Sequence, residues 1–331
     1  MSTKNILLYQ PLLKWYLDHG LIVTKVHGMI HSKSCSIFKS FGELVSDERR
    51  KGDINEKYKV IGEEMKNVGN SAYGRTNMNK AKHNKTSYET RKQYLKSVAS
   101  PYFRDADKYG DVYEVQKRKK ATFQNKIVQI STAILQYAKL RMLQFYYDFL
   151  CKFVDRSDFN MMHMDTDSMY MAISGEKLED LIKPDMRDVF EKEKNLWLPR
   201  SDTKEHKMYD NRTAGLFKTE FVGDGMVCLC SKLYYCLWDS NKSKAEQNKG
   251  DKYSCKGVQK ANNSKLLNYN NFKTVLRTNE ILQCENKGMR FLNGGVYYYN
   301  TCKTGLTAKY NKRNILSDGV TTVPLEENQY N

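Results

Sequence analysis

Two short apolar runs that alternate between faces, Phe159–Met164 and Met169–Ile173, are separated only by Asp165-Thr166-Asp167-Ser168. Runs of this length with a period of two read as strands, and so brief a polar break leaves room for little but a tight turn. The chain is thereby committed to a β-hairpin with carboxylates at its tip. Five methionines (Met161, Met162, Met164, Met169 and Met171) flank the tip and favour burial of the strands. Residues i and i+2 of a strand point the same way, so Asp165 and Asp167 are expected side by side. Carboxylates held together repel, and a divalent cation removes the repulsion. Taken alone, the same residues also fit a plain Asp-containing turn.

The periodicity elsewhere is mostly helical. Pro11 to Asp18 reads as a short helix with proline at its start and Gly20 at its stop. Leu21 to His31 reads as a strand with Ile22, Val26 and Ile30 on one face. Two helices follow, about Ser40 to Lys51 and from an N-cap at Asn55 to about Tyr73, joined closely enough to form an antiparallel hairpin. On the second, Lys59, Glu63, Lys66, Asn70 and Tyr73 share one stripe, and Ile61, Met65, Val68 and Ala72 share the opposite one. The apolar stripe is expected to pack and the other to face something polar: lysine suits a phosphate, and a tyrosine ring suits a base or sugar. By spacing alone this is equally an ordinary amphipathic helix with a solvated face. Ile127 to Leu150 gives the clearest helical pattern. Residues 200–213 and 240–254 are polar and lysine-rich and read as loops. Beyond about Lys256 short strands and helices mix.

Charge narrows the partners. The 331 residues carry 55 Lys+Arg against 38 Asp+Glu, a net charge of +17. Residues 75–126 hold 14 Lys+Arg against 5 Asp+Glu, interleaved with Tyr88, Tyr94, Tyr102, Phe103, Tyr109, Tyr113 and Phe123. Within them Asp105 to Asp111 carries the turn residues of a hairpin, although a solvated basic loop has the same composition. Lys117, Arg118, Lys119 and Lys120 are the densest basic run. A cationic surface of this kind points to nucleic acid. A membrane is not expected: mean hydropathy is −0.72, no apolar run is long enough to span, and no strongly amphipathic basic helix is visible. The first residues do not read as a signal peptide, so the cytoplasm or nucleus is the expected location. The eight cysteines lack a C-x-x-C pair or a histidine at finger spacing, so reduced, mostly buried thiols are expected in place of zinc or disulfides.

Lys66-x-x-x-Asn70-Ser71-x-Tyr73-Gly74 and Asp165-Thr166-Asp167-Ser168, in that order, resemble the fingers and palm motifs of family B DNA polymerases. Lys232-Leu233-Tyr234 resembles that family's K-x-Y motif, and Lys256-Gly257 a K-G element beyond it. The likeness runs over about residues 10–325. The basic insertion after Gly74 is similar to the place where protein-primed members carry a strand-wrapping hairpin.

The resemblance implies an α+β fold: a polymerase palm (mixed sheet with helices), helical-hairpin fingers and a partial thumb. It divides the chain into palm at 1–38, fingers at 39–74, the basic insertion at 75–126, palm with the catalytic hairpin at 127–215, and palm end with a thumb-like region at 216–331. It implies DNA-directed DNA synthesis from a primer 3′-hydroxyl, assisted by two Mg²⁺ or Mn²⁺ ions. Primer–template DNA and deoxynucleoside triphosphates are the implied partners, with a terminal protein as a further candidate primer. In that likeness Lys66 grips the triphosphate, Asn70 and Tyr73 face the nascent pair and sugar, and Arg49 or Arg50 supplies a second triphosphate contact. Asp167 binds both metals, Asp165 has a lesser role, and Lys232, Tyr234 and Lys256 hold DNA, as do Lys117 to Lys120.

The sequence departs from the family in three ways. The first palm motif, D-x-x-S-L-Y-P, is absent, and so are the exonuclease motifs. His163 stands where an aromatic tyrosine is usual. The expectation is therefore a polymerase portion with an incomplete metal site, or a catalytically inactive DNA-binding remnant. A reverse transcriptase would carry adjacent aspartates, and an RNA-binding sheet module would leave the carboxylate tip unexplained.

Overall fold

The computed structural model describes residues 6–33, 35–123, 125–238, 250–292, 295–309, 313–315, 317 and 322–324. The protein is α+β, and its sheets have two or three strands each. The mixed sheet expected above is not formed by the described strands, whose ladders are all antiparallel. The reason lies in the connections: most neighbours in a ladder are successive strands joined by short links, and parallel pairing needs a long crossover. The chain divides into two compact units, Met1–Arg141 with Pro199–Leu216, and Met142–Leu198 with Phe217–Asn331.

In the first unit, helix α1 (Gln10–Asp18) has proline in its first turn and buries Leu12 and Trp15. Leu21 to His31, expected as a strand, is irregular and exposed. Alternation alone does not make a strand; a neighbouring ladder must supply hydrogen bonds and cover, and among the described residues none does. Helices α2 (Lys39–Ile54) and α3 (Lys59–Thr76) form the expected hairpin. Asn55 caps the short turn between them, its Oδ1 accepting the Lys57 N–H at 2.9 Å.

The packed face of α3 differs from the expected one. Ile61, Val68 and Ala72 are exposed, while Gly62 is buried and Met65, Gly69, Tyr73 and Thr76 are half-buried. Glycine decides this. A Cβ on Gly52 would lie 3.0 Å from the Tyr58 carbonyl oxygen and 3.3 Å from the Gly62 Cα, so the two helix backbones nearly touch there. Close backbone approach at a glycine pair fixes the crossing, and the apolar stripe turns away from it.

The basic segment is folded. Strands β1 (Asn84–Glu89), β2 (Phe103–Tyr109) and β3 (Val112–Arg118) form a sheet in the order β1-β3-β2. Helix α4 (Arg91–Val98) follows β1 and starts in a Thr90–Gln93 capping box. The expected hairpin turns at Gly110, whose φ of +58° glycine alone adopts without cost. Residues 200–213, expected as a loop, contain the helix Lys204–Asp210, capped by Thr203. Bidentate contact of Arg200 with Asp210, at 2.7 and 2.9 Å, ties its two ends together. Helix α5 (Val128–Gln144) runs into a π-helical turn, Phe145–Leu150, matching the strongest helical expectation.

The described residues of the second unit form two apolar cores. In one, Phe145, Phe149, Leu150, Phe153, Phe159, Ile182 and Phe190 are buried together. Phe145 stacks on Phe217 with ring centroids 3.9 Å apart. This core supports the hairpin of β4 (Phe159–Asp165) and β5 (Ser168–Ile173). The other core lies between the helix Tyr269–Thr278 and a sheet of β6 (Gly225–Cys230), β7 (Leu233–Leu237) and β8 (Lys252–Cys255). Part of the expected 240–254 loop is thus a strand, while residues 240–249 lie outside the described residues. A long hairpin, β9 (Leu282–Leu292) and β10 (Gly295–Leu306), buries Cys284 and Leu306 at its base. All eight cysteines are free thiols; Cys236, Cys255 and Cys284 are buried, and Cys35 and Cys302 are exposed.

Candidate functional site

The carboxylate hairpin forms, with a turn of Thr166 and Asp167 between paired Asp165 and Ser168. The side-by-side placement expected from strand spacing does not carry over, because the strand ends at Asp165 and Asp167 belongs to the turn. Phe159, Met161, His163 and Asp165 fall on the inner row of β4, so Asp165 is half-buried whereas Asp167 is exposed.

The β6–β7 hairpin brings a cation to this tip. Lys232 occupies its turn with φ at +63°, a left-handed conformation that costs a residue with a Cβ about 1–2 kcal/mol. Strain of this kind persists where surrounding contacts over-determine it. Here the Lys256 N–H donates to the Lys232 carbonyl oxygen at 3.3 Å, and the Lys232 Nζ lies 2.8 Å from Asp165 Oδ2. One residue into β7, the Tyr234 hydroxyl shares a 2.8 Å hydrogen bond with the Tyr170 hydroxyl of β5. The hairpin tip, the K-x-Y segment and the K-G element are therefore one place in the second unit.

The hydrogen bond from Lys232 holds the Asp165 carboxyl below the usual aspartate range, against the opposing effect of burial. The same bond raises the Lys232 ammonium. Burial lowers the His163 imidazole, with Asp165 pulling the other way. His163 Nδ1 sits 3.5 Å from Cys228 Sγ, and its Nε2 is buried without a partner among the described residues. Burial also pushes the Cys228 thiol up to about 11, which removes it as a nucleophile. Tyr170 and Cys228 had no distinguishing spacing; only the cross-strand register of His163 with Tyr170 could have pointed to the former.

The candidate nucleotide-binding residues lie in the first unit. Lys66 and Asn70 are exposed, and their side chains carry no hydrogen bond or ion pair among the described residues; Tyr73 is half-buried beside them. The structure separates the two arginines. Arg50 is engaged: its guanidinium lies 3.8 Å over the Tyr209 ring and binds Asp47 at 2.8 Å. Arg212 pairs with Asp53 near by, tying α2 to the segment that carries Tyr209. The Arg49 side chain has no hydrogen bond or ion pair among the described residues; burial followed by repulsion from Arg212 lowers its pKa, against attraction to Asp53. It sits at the glycine crossing, its Cα 3.5 Å from where a Gly62 Cβ would be, and Lys66 is one turn along α3.

The basic residues of the insertion also divide. Lys117 is half-buried, its Nζ 3.1 Å from Glu89 and 2.5 Å from Ser97. Burial pushes the Glu89 carboxyl up, but hydrogen bonds from Ser97, Ser87 and Lys117 outweigh it and leave its pKa lowered. Arg118, Lys119 and Lys120 are exposed. Among the described residues no group of three or more His, Cys, Asp or Glu is placed to hold a metal ion, and no helix is long and apolar enough to cross a membrane. No family model, curated protein or solved structure matches the chain.

Proposed function

We propose that this chain binds primer–template DNA and deoxynucleoside triphosphate in the manner of the fingers and palm of a family B DNA polymerase. The observation that carries the reading is the meeting of Asp165 with Lys232, and of Tyr170 with Tyr234. Segments far apart in sequence, singled out by their likeness to motifs of one enzyme family, share one place. In this reading the exposed Lys66 and the unpaired Arg49 take the triphosphate of the incoming nucleotide, and Arg50 braces α2. Lys232 and Lys256 meet the sugar–phosphate backbone of the primer, with Tyr234 fixed by its bond to Tyr170. Arg118, Lys119 and Lys120 add non-specific contacts to phosphate.

Among the described residues the carboxylates of the hairpin do not fit a two-metal site. Two cations need several oxygen donors to offset their mutual repulsion. The hairpin offers Asp167 and an Asp165 already neutralised by Lys232. Binding without efficient nucleotidyl transfer is the function these residues support, and that shortage favours a catalytically silent DNA-binding protein as the second reading.

Titration of a labelled primer–template, followed by extension with Mg²⁺ and deoxynucleotides, tests both. Binding is expected to weaken with salt, with a log–log slope of about −4 to −5 if roughly five phosphates are contacted. Extension by residues 1–331 is expected near background. Absence of DNA binding would remove the reading altogether. Robust Mg²⁺-dependent extension would show that the chain does complete its metal site.

A further inference from the structure

We infer that the Lys232 ammonium is the built-in cation of the Asp165–Asp167 turn, so that a divalent ion binds there only by displacing it. The geometry points this way from three sides. The ammonium lies 2.8 Å from Asp165 Oδ2, a charge-assisted contact. The backbone of Lys232 is held in a left-handed turn that a lysine does not choose, so its placement is imposed by the fold and not by local preference. The Lys256 N–H on the Lys232 carbonyl and the Tyr170–Tyr234 bond fasten both sides of that turn.

The ammonium pairs directly with Asp165 and attracts the exposed Asp167 at longer range, without an ion pair or side-chain hydrogen bond to it among the described residues. The turn thus holds a cation of its own. A divalent ion must compete with a partner whose effective concentration is set by the fold, which weakens its apparent affinity. Displaced from Asp165, the ammonium would be released toward solvent, since the side chain is already 43% exposed. There it is available to a phosphate. Arrival of a polyanion and arrival of a divalent ion would then favour one another, because each removes the other's competitor.

This inference does not rest on the polymerase reading, and its test uses the metal alone. Tb³⁺ luminescence and Mn²⁺ electron paramagnetic resonance measure cation binding without DNA or turnover. The wild-type protein is expected to bind weakly. Lys232→Met removes the ammonium, and Lys232→Gly removes it while also relieving the turn. Both are expected to tighten binding at least tenfold, whereas Lys232→Arg should leave it near wild type. Asp167→Asn in the Lys232→Met background should abolish the gain. Unchanged affinity in folded Lys232→Met and Lys232→Gly would overturn the inference. Should both variants fail to fold, the wild type supplies a second reading after reductive ¹³C-methylation of its lysines. The Lys232 resonance should then shift more with Asp165→Asn than with Asp167→Asn, and the reverse order would overturn the inference.

Discussion

The two units are held together by different physics. The second buries most of the described core, with aromatic rings stacked around the π turn and a separate apolar layer under the β6-β7-β8 sheet. The first buries few large side chains, chiefly Leu12, Trp15, Val115 and Leu140. It relies on a glycine crossing, the Arg212–Asp53 and Arg200–Asp210 pairs, and the polar cluster around Glu89. Apolar burial is non-directional and scales with area, so a unit rich in it responds little to pH and suffers from cavities. A unit built on close backbone contact and ion pairs answers instead to sterics, salt and pH. The carboxylate turn stands on the unit with the larger apolar core, while Lys66 and Arg49 stand on the polar one.

The largest effect expected from this contrast is in the aromatic core. Phe149 is fully buried, and Phe149→Ala should cost about 3–5 kcal/mol, read as a fall in the urea midpoint of the second unit. A loss under about 1 kcal/mol would mean that this core is not tightly packed. Next comes the glycine crossing. Gly52→Val places a branched side chain against the Tyr58 carbonyl, a backbone atom that cannot swing aside. It should destabilise the helix pair by about 1–3 kcal/mol, visible as faster hydrogen exchange in α2 and α3. Stabilisation by the better helix former would show that the helices do not meet as described.

The smallest effect is electrostatic and sharpens the comparison through pH. The Glu89 pKa is lowered in the fold, so its contribution is present above the ordinary carboxylate range and fades as pH falls through that lowered value. Lys117→Met should cost about 1–2 kcal/mol at pH 7, and the difference from wild type should shrink below about pH 4. DNA affinity should change little, since the Lys117 ammonium is engaged by Glu89 and Ser97. A large loss of DNA affinity with stability unchanged would instead return Lys117 to the DNA-binding surface beside Arg118, Lys119 and Lys120.

Much of this was legible in the residues. The carboxylate hairpin, the paired helices, the hairpin at Gly110 and the long helix into Phe149 follow from local rules: period, turn chemistry and caps act over a few residues. The sequence could also single out Lys232 and Tyr234 as residues of interest. It could not say that α3 turns Gly62 and Met65 inward and leaves Val68 exposed, because that depends on how near a second backbone can come. Nor could it say that Arg50 is engaged within the fold, since that rests on Tyr209 and Asp47, one of them distant in the chain. Leu21 to His31 had the pattern of a strand, but a ladder needs a partner that no local pattern supplies. The meeting of Lys232 with Asp165 belongs to the same class. Composition and spacing fix what a segment can do, whereas which charges end up 2.8 Å apart is decided by packing between segments that the sequence keeps far apart.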